Sequence, residues 1–133
     1  MNTPSAASPA RVLVADDDAR LRHLFATTLG NAGFRVEQAA DGDQALSAVE
    51  HACPDLLLAD LVMPGLTGDE LARRVRERCS RTVLVFMSGY SEEQLHALDI
   101  KQVVFLPKPI SPSDLVAVVS RLVEESDGSR VAG

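Results

Sequence analysis

The stretch RVLVADDDARLRHLFATTLG, residues 11–30, carries two different hydrophobic periods on either side of three consecutive acids. Residues 11–15 are nearly continuous aliphatics, which is how a strand reads when both faces of its sheet are covered. Beyond the acids, Leu21, Leu24, Phe25, Thr28 and Leu29 fall at the i, i+3, i+4, i+7, i+8 spacing of a single buried helical face. Asp18 is placed to cap that helix, and Gly30 or Gly33 to end it. A strand that passes into a helix through a short turn is half of a parallel crossover.

The unit recurs. DLLLAD (55–60), TVLVFMS (82–88) and VVFLP (103–107) are again runs of buried character, whereas FRVEQA (34–39) alternates as an edge strand does. Helix starts follow each of them: Asp41 with Gln44, Thr67 with Glu70, Ser91 with Gln94, and Ser111 with Asp114. Pro112 stands at a first helical position, where its missing N–H costs nothing. The order is strand then helix, five times. Right-handed crossovers between parallel strands then give an α/β domain of three layers, an open sheet with helices on both faces. The domain is expected over residues 10–125, with disordered tails at 1–9 and 126–133.

Composition narrows the function classes. The chain has 133 residues, 46% of them hydrophobic, which suits one domain with a real core. No apolar run is long enough to span a bilayer, and the N-terminal segment has neither a basic start nor an apolar stretch. A cytoplasmic protein without a membrane partner is the expectation. Nineteen acids against thirteen bases leave a net charge of −6 and no basic stripe, so nucleic acid is not an expected partner. RRVRER (73–78) is interrupted by Val75 and Glu77 and reads as a solvated helical face. His23, His51 and His96 have no companion ligands and read as surface residues. Cys53 and Cys79 fit no metal spacing and are expected as free thiols.

Sheets of this kind bind ligands outside the carboxyl ends of their strands. The first run ends in Asp16, Asp17 and Asp18, the third in Asp60, the fourth in Ser88-Gly89 and the fifth in Lys108-Pro109. Carboxylates, a hydroxyl and an ammonium therefore converge on one edge, and the opposite strand ends carry nothing comparable. Clustered carboxylates repel each other unless a cation or a proton intervenes, and all-oxygen ligands suit a hard divalent ion such as Mg²⁺. A cation, a lysine and a hydroxyl around one carboxylate make a pocket for a phosphoryl group, with that carboxylate as the nucleophile.

VLVADDDARLRHLF, PDLLLADLVMPGLTG, VFMSGY and FLPKPI together resemble the receiver domain of bacterial response regulators, including stand-alone receivers and those of hybrid kinases, over about residues 11–125. The resemblance implies a flavodoxin-like (βα)5 fold with strand order 2-1-3-4-5. It implies that Asp60 accepts the phosphoryl group and that Asp17 binds Mg²⁺ (or Mn²⁺) directly. Asp16 would hold a metal-bound water, and the backbone carbonyl of Val62 would complete the protein ligands. Ser88 would be the switch hydroxyl, Lys108 the phosphoryl partner and Phe105 the aromatic whose rotamer follows Ser88, with a cis Lys108–Pro109 bond. The implied partners are a histidine kinase or histidine phosphotransfer protein and a downstream protein target, the chain being a monomer or weak dimer. Such a module is not an enzyme in the ordinary sense, although it assists its own phosphorylation.

Two features depart from the family pattern. The segment YSEEQLHALDIKQ leaves room for a fourth helix of only two turns. Val62 and Tyr90 stand two residues beyond Asp60 and Ser88, where the resemblance implies control of water access to the acyl phosphate, and an apolar Val62 with a bulky Tyr90 is expected to slow its hydrolysis. A competing class is a small haloacid-dehalogenase-like phosphatase with Asp16 as nucleophile, since Asp16-x-Asp18 fits its outline. That reading leaves LLLADLVMPG unexplained.

Overall fold

The computed structural model describes residues 9–132, with side chains up to residue 126. Five strands and five helices alternate: β1 (Arg11–Ala15), α1 (Ala19–Asn31), β2 (Arg35–Ala39), α2 (Gly42–His51), β3 (Leu56–Asp60), α3 (Gly68–Arg78), β4 (Val83–Ser88), α4 (Glu92–Ala97), β5 (Val104–Pro107) and α5 (Pro112–Ala132). All strands are parallel, in the order β2-β1-β3-β4-β5. The strand order reverses between β1 and β3, so the loops after these two strands diverge and open a crevice at their carboxyl ends.

Alternation along the strands divides the core into two layers. Val12, Val14, Leu56, Leu58, Val85 and Met87 pack with Phe25 and Leu29 of α1 and Leu115 and Val119 of α5. Leu13, Leu57, Ala59, Leu84 and Phe86 face the other way, against Ala45 and Val49 of α2 and Leu71 and Val75 of α3. The central strands are apolar on both faces because both faces are covered. The α1 face is narrower than its spacing suggests. Phe25, Ala26 and Leu29 are buried, whereas Leu24 is 47% exposed. Leu24 lies one residue, about 100° of helix rotation, before Phe25, and this carries it off the stripe centred on Phe25 and Leu29.

The helix starts are the capped ones. Asp18 accepts from Arg20 N and Leu21 N, Asp41 from Gln44 N, Thr67 from Glu70 N and Ser91 from Gln94 N, and Ser111 Oγ accepts from Asp114 N. The α4 helix has six residues and buries none of them fully. Asp99, at φ +55 just beyond its cap, turns the chain into the left-handed region and stops it. At the other end of the chain α5 continues through Ala132, past residue 125 where the sequence pattern places the end of the domain. A single glycine, Gly128, costs a helix only about 1 kcal/mol and no proline follows to stop it. The expected N-terminal tail lies, apart from Pro9, outside the described residues. No helix among the described residues is long and apolar enough to cross a membrane.

The cysteines correct the expectation of free thiols: Cys53 and Cys79 form a disulfide, with Cα atoms 5.7 Å apart. They are 26 residues apart in sequence, but Cys53 precedes β3 and Cys79 precedes β4, and these strands pair in parallel. The topology brings the two strand starts together, which a spacing rule does not see.

Candidate functional site

The first turn after β1 is built around Asp16. Its backbone N–H continues the sheet by donating to Ala39 O (3.1 Å), and its Oδ1 accepts from Asp18 N (2.9 Å). The side chain is fully buried, at 0% exposure, and its Oδ2 has no hydrogen-bond partner. Burial pushes its carboxyl above the ordinary Asp range; the charges of Asp60 and Asp17 act in the same direction, opposed by the Asp18 N–H and by Lys108. Asp17, next in the chain, is exposed.

Asp60 ends β3 and stands beside them. Leu61 N donates to Met87 O at 2.9 Å, so the strand stays paired one residue beyond the acid and holds it on a rigid support. Its Oδ1 accepts from Val62 N (3.1 Å) and its Oδ2 from Lys108 Nζ (2.7 Å). The Asp60 side chain is 13% exposed, buried enough to be fixed and open enough to be reached. Carboxylate oxygens of Asp16, Asp17 and Asp60 lie within 4.8 Å of one another. An orphaned buried oxygen among three carboxylates fits a hard divalent cation, which accepts only oxygen ligands and keeps several waters. The donor set therefore suits Mg²⁺.

Two neighbouring strands supply the remaining polar groups. Ser88, at the end of β4, is buried, and its Oγ accepts from Tyr90 N (2.8 Å), leaving its O–H free to donate. Lys108 follows β5 and is held by its own N–H on Ser88 O (2.9 Å), with the Lys108–Pro109 bond cis. Further back along β5, Phe105 is partly buried, and its ring is 6.3 Å from that of Phe86 at a 32° tilt. The loop after Asp60 turns at Gly65, φ +90, and re-enters the fold at Gly68, where a Cβ would meet Leu61 Cδ1 at 2.4 Å. That contact keeps the start of α3 close against the base of the site.

The structure thus gathers Asp16, Asp17, Asp60, Val62, Ser88 and Lys108 at one sheet edge, with Phe105 one layer below. Sequence reasoning missed Arg22. Its Nη1 donates to Asp16 O (2.9 Å) and its Nε to Gln38 Oε1 (3.1 Å), tying the acidic turn to the end of β2. The available signal was an arginine four residues after the capping Asp18, one helical turn on and on the same side. The phosphatase outline does not fit this geometry. Asp16 is sealed from solvent and Asp18, the second acid of that pattern, is a helix cap.

A family model for the response regulator receiver domain matches residues 12–120. Transcriptional regulatory protein ResD of Bacillus subtilis is 31% identical over 118 residues, 87% of this chain and 49% of that protein. DNA-binding response regulator MtrA of Mycobacterium tuberculosis is 34% identical over 119 residues, 88% of this chain and 52% of that protein. The chain therefore spans about half the length of these curated relatives. Among solved structures, a CheY-like response regulator receiver domain protein from Methanospirillum hungatei superposes with a TM-score of 0.84 at 25% identity, covering 92% of this chain and 99% of that one.

Proposed function

Because the chain belongs to the response regulator receiver domain family, we propose that it is a phospho-acceptor signalling module in which Asp60 takes a phosphoryl group from a phosphohistidine of a histidine kinase or histidine phosphotransfer protein. The observation that carries this reading is the position of Asp60: end of a central strand, 2.7 Å from Lys108 Nζ and clustered with Asp16 and Asp17.

An Asp60 carboxylate oxygen attacks the phosphorus, the P–N bond to the imidazole breaks, and its electron pair stays on the nitrogen. The product is an acyl phosphate on Asp60. Lys108, now paired with Asp60 Oδ2, transfers its donors to a phosphoryl oxygen, and the free Ser88 O–H donates to another. Asp16, Asp17, Asp60 and the Val62 carbonyl would hold Mg²⁺, which when bound neutralises charge gathering on the phosphoryl oxygens. Drawing Ser88 toward the phosphoryl group vacates space beside β5, and Phe105, only partly buried, turns into it. The surface of α4, β5 and α5 then changes as a population shift between two arrangements, which a downstream protein reads.

The names of the curated relatives attach DNA binding and transcription to proteins about twice this length. The basic run on α3 does not supply such a surface here. Arg73 and Arg74 pair with Glu70 and Glu77, while Arg76 and Arg78 donate to backbone carbonyls of Thr82, Gln102 and Glu50.

The test is incubation with acetyl phosphate and Mg²⁺, followed by mapping of the modified residue. Label on Asp60, lost in Asp60→Asn and with chelator, supports the reading. Label elsewhere, or none, overturns it.

A further inference from the structure

At the end of the sheet remote from Asp60, Cys53 and Cys79 differ sharply in their surroundings. Cys53 is exposed in the connection between α2 and β3, whereas Cys79 is buried as the C-cap of α3. Two guanidinium groups converge on the Cys53 segment: Arg11 Nη1 donates to Cys53 O (2.9 Å) and Arg78 Nη2 to Glu50 O (2.7 Å). Arg11 also pairs with Glu37, so what sets Cys53 apart is its exposure, which admits small thiols and disulfides to its sulfur. Cys79, buried, lacks that access, but it is within bonding reach of Cys53 alone, at a Cα separation inside the normal disulfide range.

We infer that Cys53 and Cys79 form a reversible thiol–disulfide site that exchanges with low-molecular-weight thiols and disulfides, with Cys53 as the sulfur that reacts first. In the oxidising direction the Cys53 thiolate attacks one sulfur of a small disulfide RSSR. The S–S bond breaks, and the departing RS⁻ takes up the proton that Cys53 gave to solvent. Cys79 then loses its proton and attacks the Cys53 sulfur of the mixed disulfide, expelling the second RS⁻, which is protonated in turn. The two cysteines lose two electrons and RSSR becomes two RSH. Reduction runs the same steps backwards, beginning with thiolate attack on the exposed Cys53 sulfur.

The covalent ring that closes is specific. Its 26-residue span contains all of β3, the loop after Asp60 and all of α3. Oxidation therefore restrains the strand–helix unit that carries Asp60 by its far end, without touching the carboxylate cluster. Loop closure of this size raises the melting temperature by about 10 °C in a domain of this length.

The experiment equilibrates the full chain in reduced and oxidised glutathione at a series of ratios, traps thiols by alkylation, and counts them by mass. Two alkylated cysteines should give way to none, with a Tm higher by about 10 °C in the oxidised form. Cys79→Ser should accumulate a glutathione adduct on Cys53, and folded Cys53→Ser should leave Cys79 unmodified. Two free thiols at every ratio, an adduct on Cys79 in folded Cys53→Ser, or equal Tm values for the two wild-type forms would each overturn the inference. The wild-type arms stand even if a variant fails to fold.

Discussion

Lys108 Nζ sits 2.7 Å from Asp60 Oδ2, across the ends of β5 and β3 with β4 and its Ser88 between them. The contact joins residues 48 apart in sequence and is partly buried, so it is less screened than a surface pair. Replacing Lys108 by Ala removes the donor that would follow the phosphoryl oxygen into the product. Loading of Asp60 from acetyl phosphate should slow about 100-fold or more, since one preorganised oxyanion donor is worth about 2.7–4 kcal/mol in other active sites. Quantifying phosphorylated Asp60 against time checks this. An unchanged rate would leave Lys108 with a purely structural role.

Asp16 bears a different cost. Its Oδ2 is buried without a partner, and burial disfavours its charge. Asp16→Asn keeps the acceptor for Asp18 N and removes the charge. Without divalent cation the variant should be more stable than the wild type by about 1 kcal/mol, because the amide carries no buried charge for Asp60 and Asp17 to repel. With Mg²⁺ the order should narrow or reverse. The wild type gains about 2.7 kcal/mol at a cation concentration 100 times its Kd, and the variant much less. Urea unfolding with chelator and with Mg²⁺ measures both. A variant less stable than the wild type in chelator would show that the buried charge of Asp16 does not destabilise the fold.

The parts of this molecule that the sequence disclosed are those governed by local chemistry. Strand runs covered on both faces, five side-chain caps and the polar strand ends each depend on neighbours within a few residues, and each is found as read. Contacts between distant segments were the ones not visible. Cys53 meets Cys79 only because β3 and β4 pair in parallel, and Arg22 reaches Asp16 O only because α1 packs back over β1. Leu24 lay outside the core because a spacing rule names a face wider than its neighbours cover. Asp60 itself was ambiguous alone, since an Asp before Pro and Gly suits any turn. Ser88 and Lys108 at adjacent strand ends, and not the local motif, separate it from an ordinary turn residue.

Ser88 separates loading from switching. Its O–H is not needed by Asp60 in the unphosphorylated form, where Ser88 Oγ accepts from Tyr90 N. Because the donors of Lys108 remain, Ser88→Ala should therefore still take a phosphoryl group on Asp60, more slowly than the wild type. The ring resonances of Phe105 should then fail to shift on phosphorylation, whereas Ser88→Thr, which keeps the hydroxyl, should restore the shift. A full Phe105 response in Ser88→Ala would break the proposed link between the two residues.

Lifetime of the acyl phosphate should be set by Val62 and Tyr90. Both are prominent on the surface, 58% and 40% exposed, and both line one groove of about 270 Å³ with Leu61, Met63, Leu98 and Ile100. Hydrolysis needs a water placed in line with the phosphorus and oriented by an acceptor or donor, and general acid–base or positioning groups are worth about 10²–10⁴-fold where they exist. An apolar Val62 offers neither, and the bulky Tyr90 lines the same groove. Val62→Asn combined with Tyr90→Ala supplies an amide and removes that bulk, so phosphate release should accelerate about 10-fold or more. The substitutions leave Asp16, Asp17, Asp60 and Lys108 in place, and the Val62 N–H that Asp60 Oδ1 accepts belongs to the backbone. Mg²⁺ affinity should accordingly stay the same, and a fall in it would assign any rate change to a disturbed metal site instead. Phosphate release no faster than in the wild type, at equal Mg²⁺ affinity, would show that water access is controlled elsewhere.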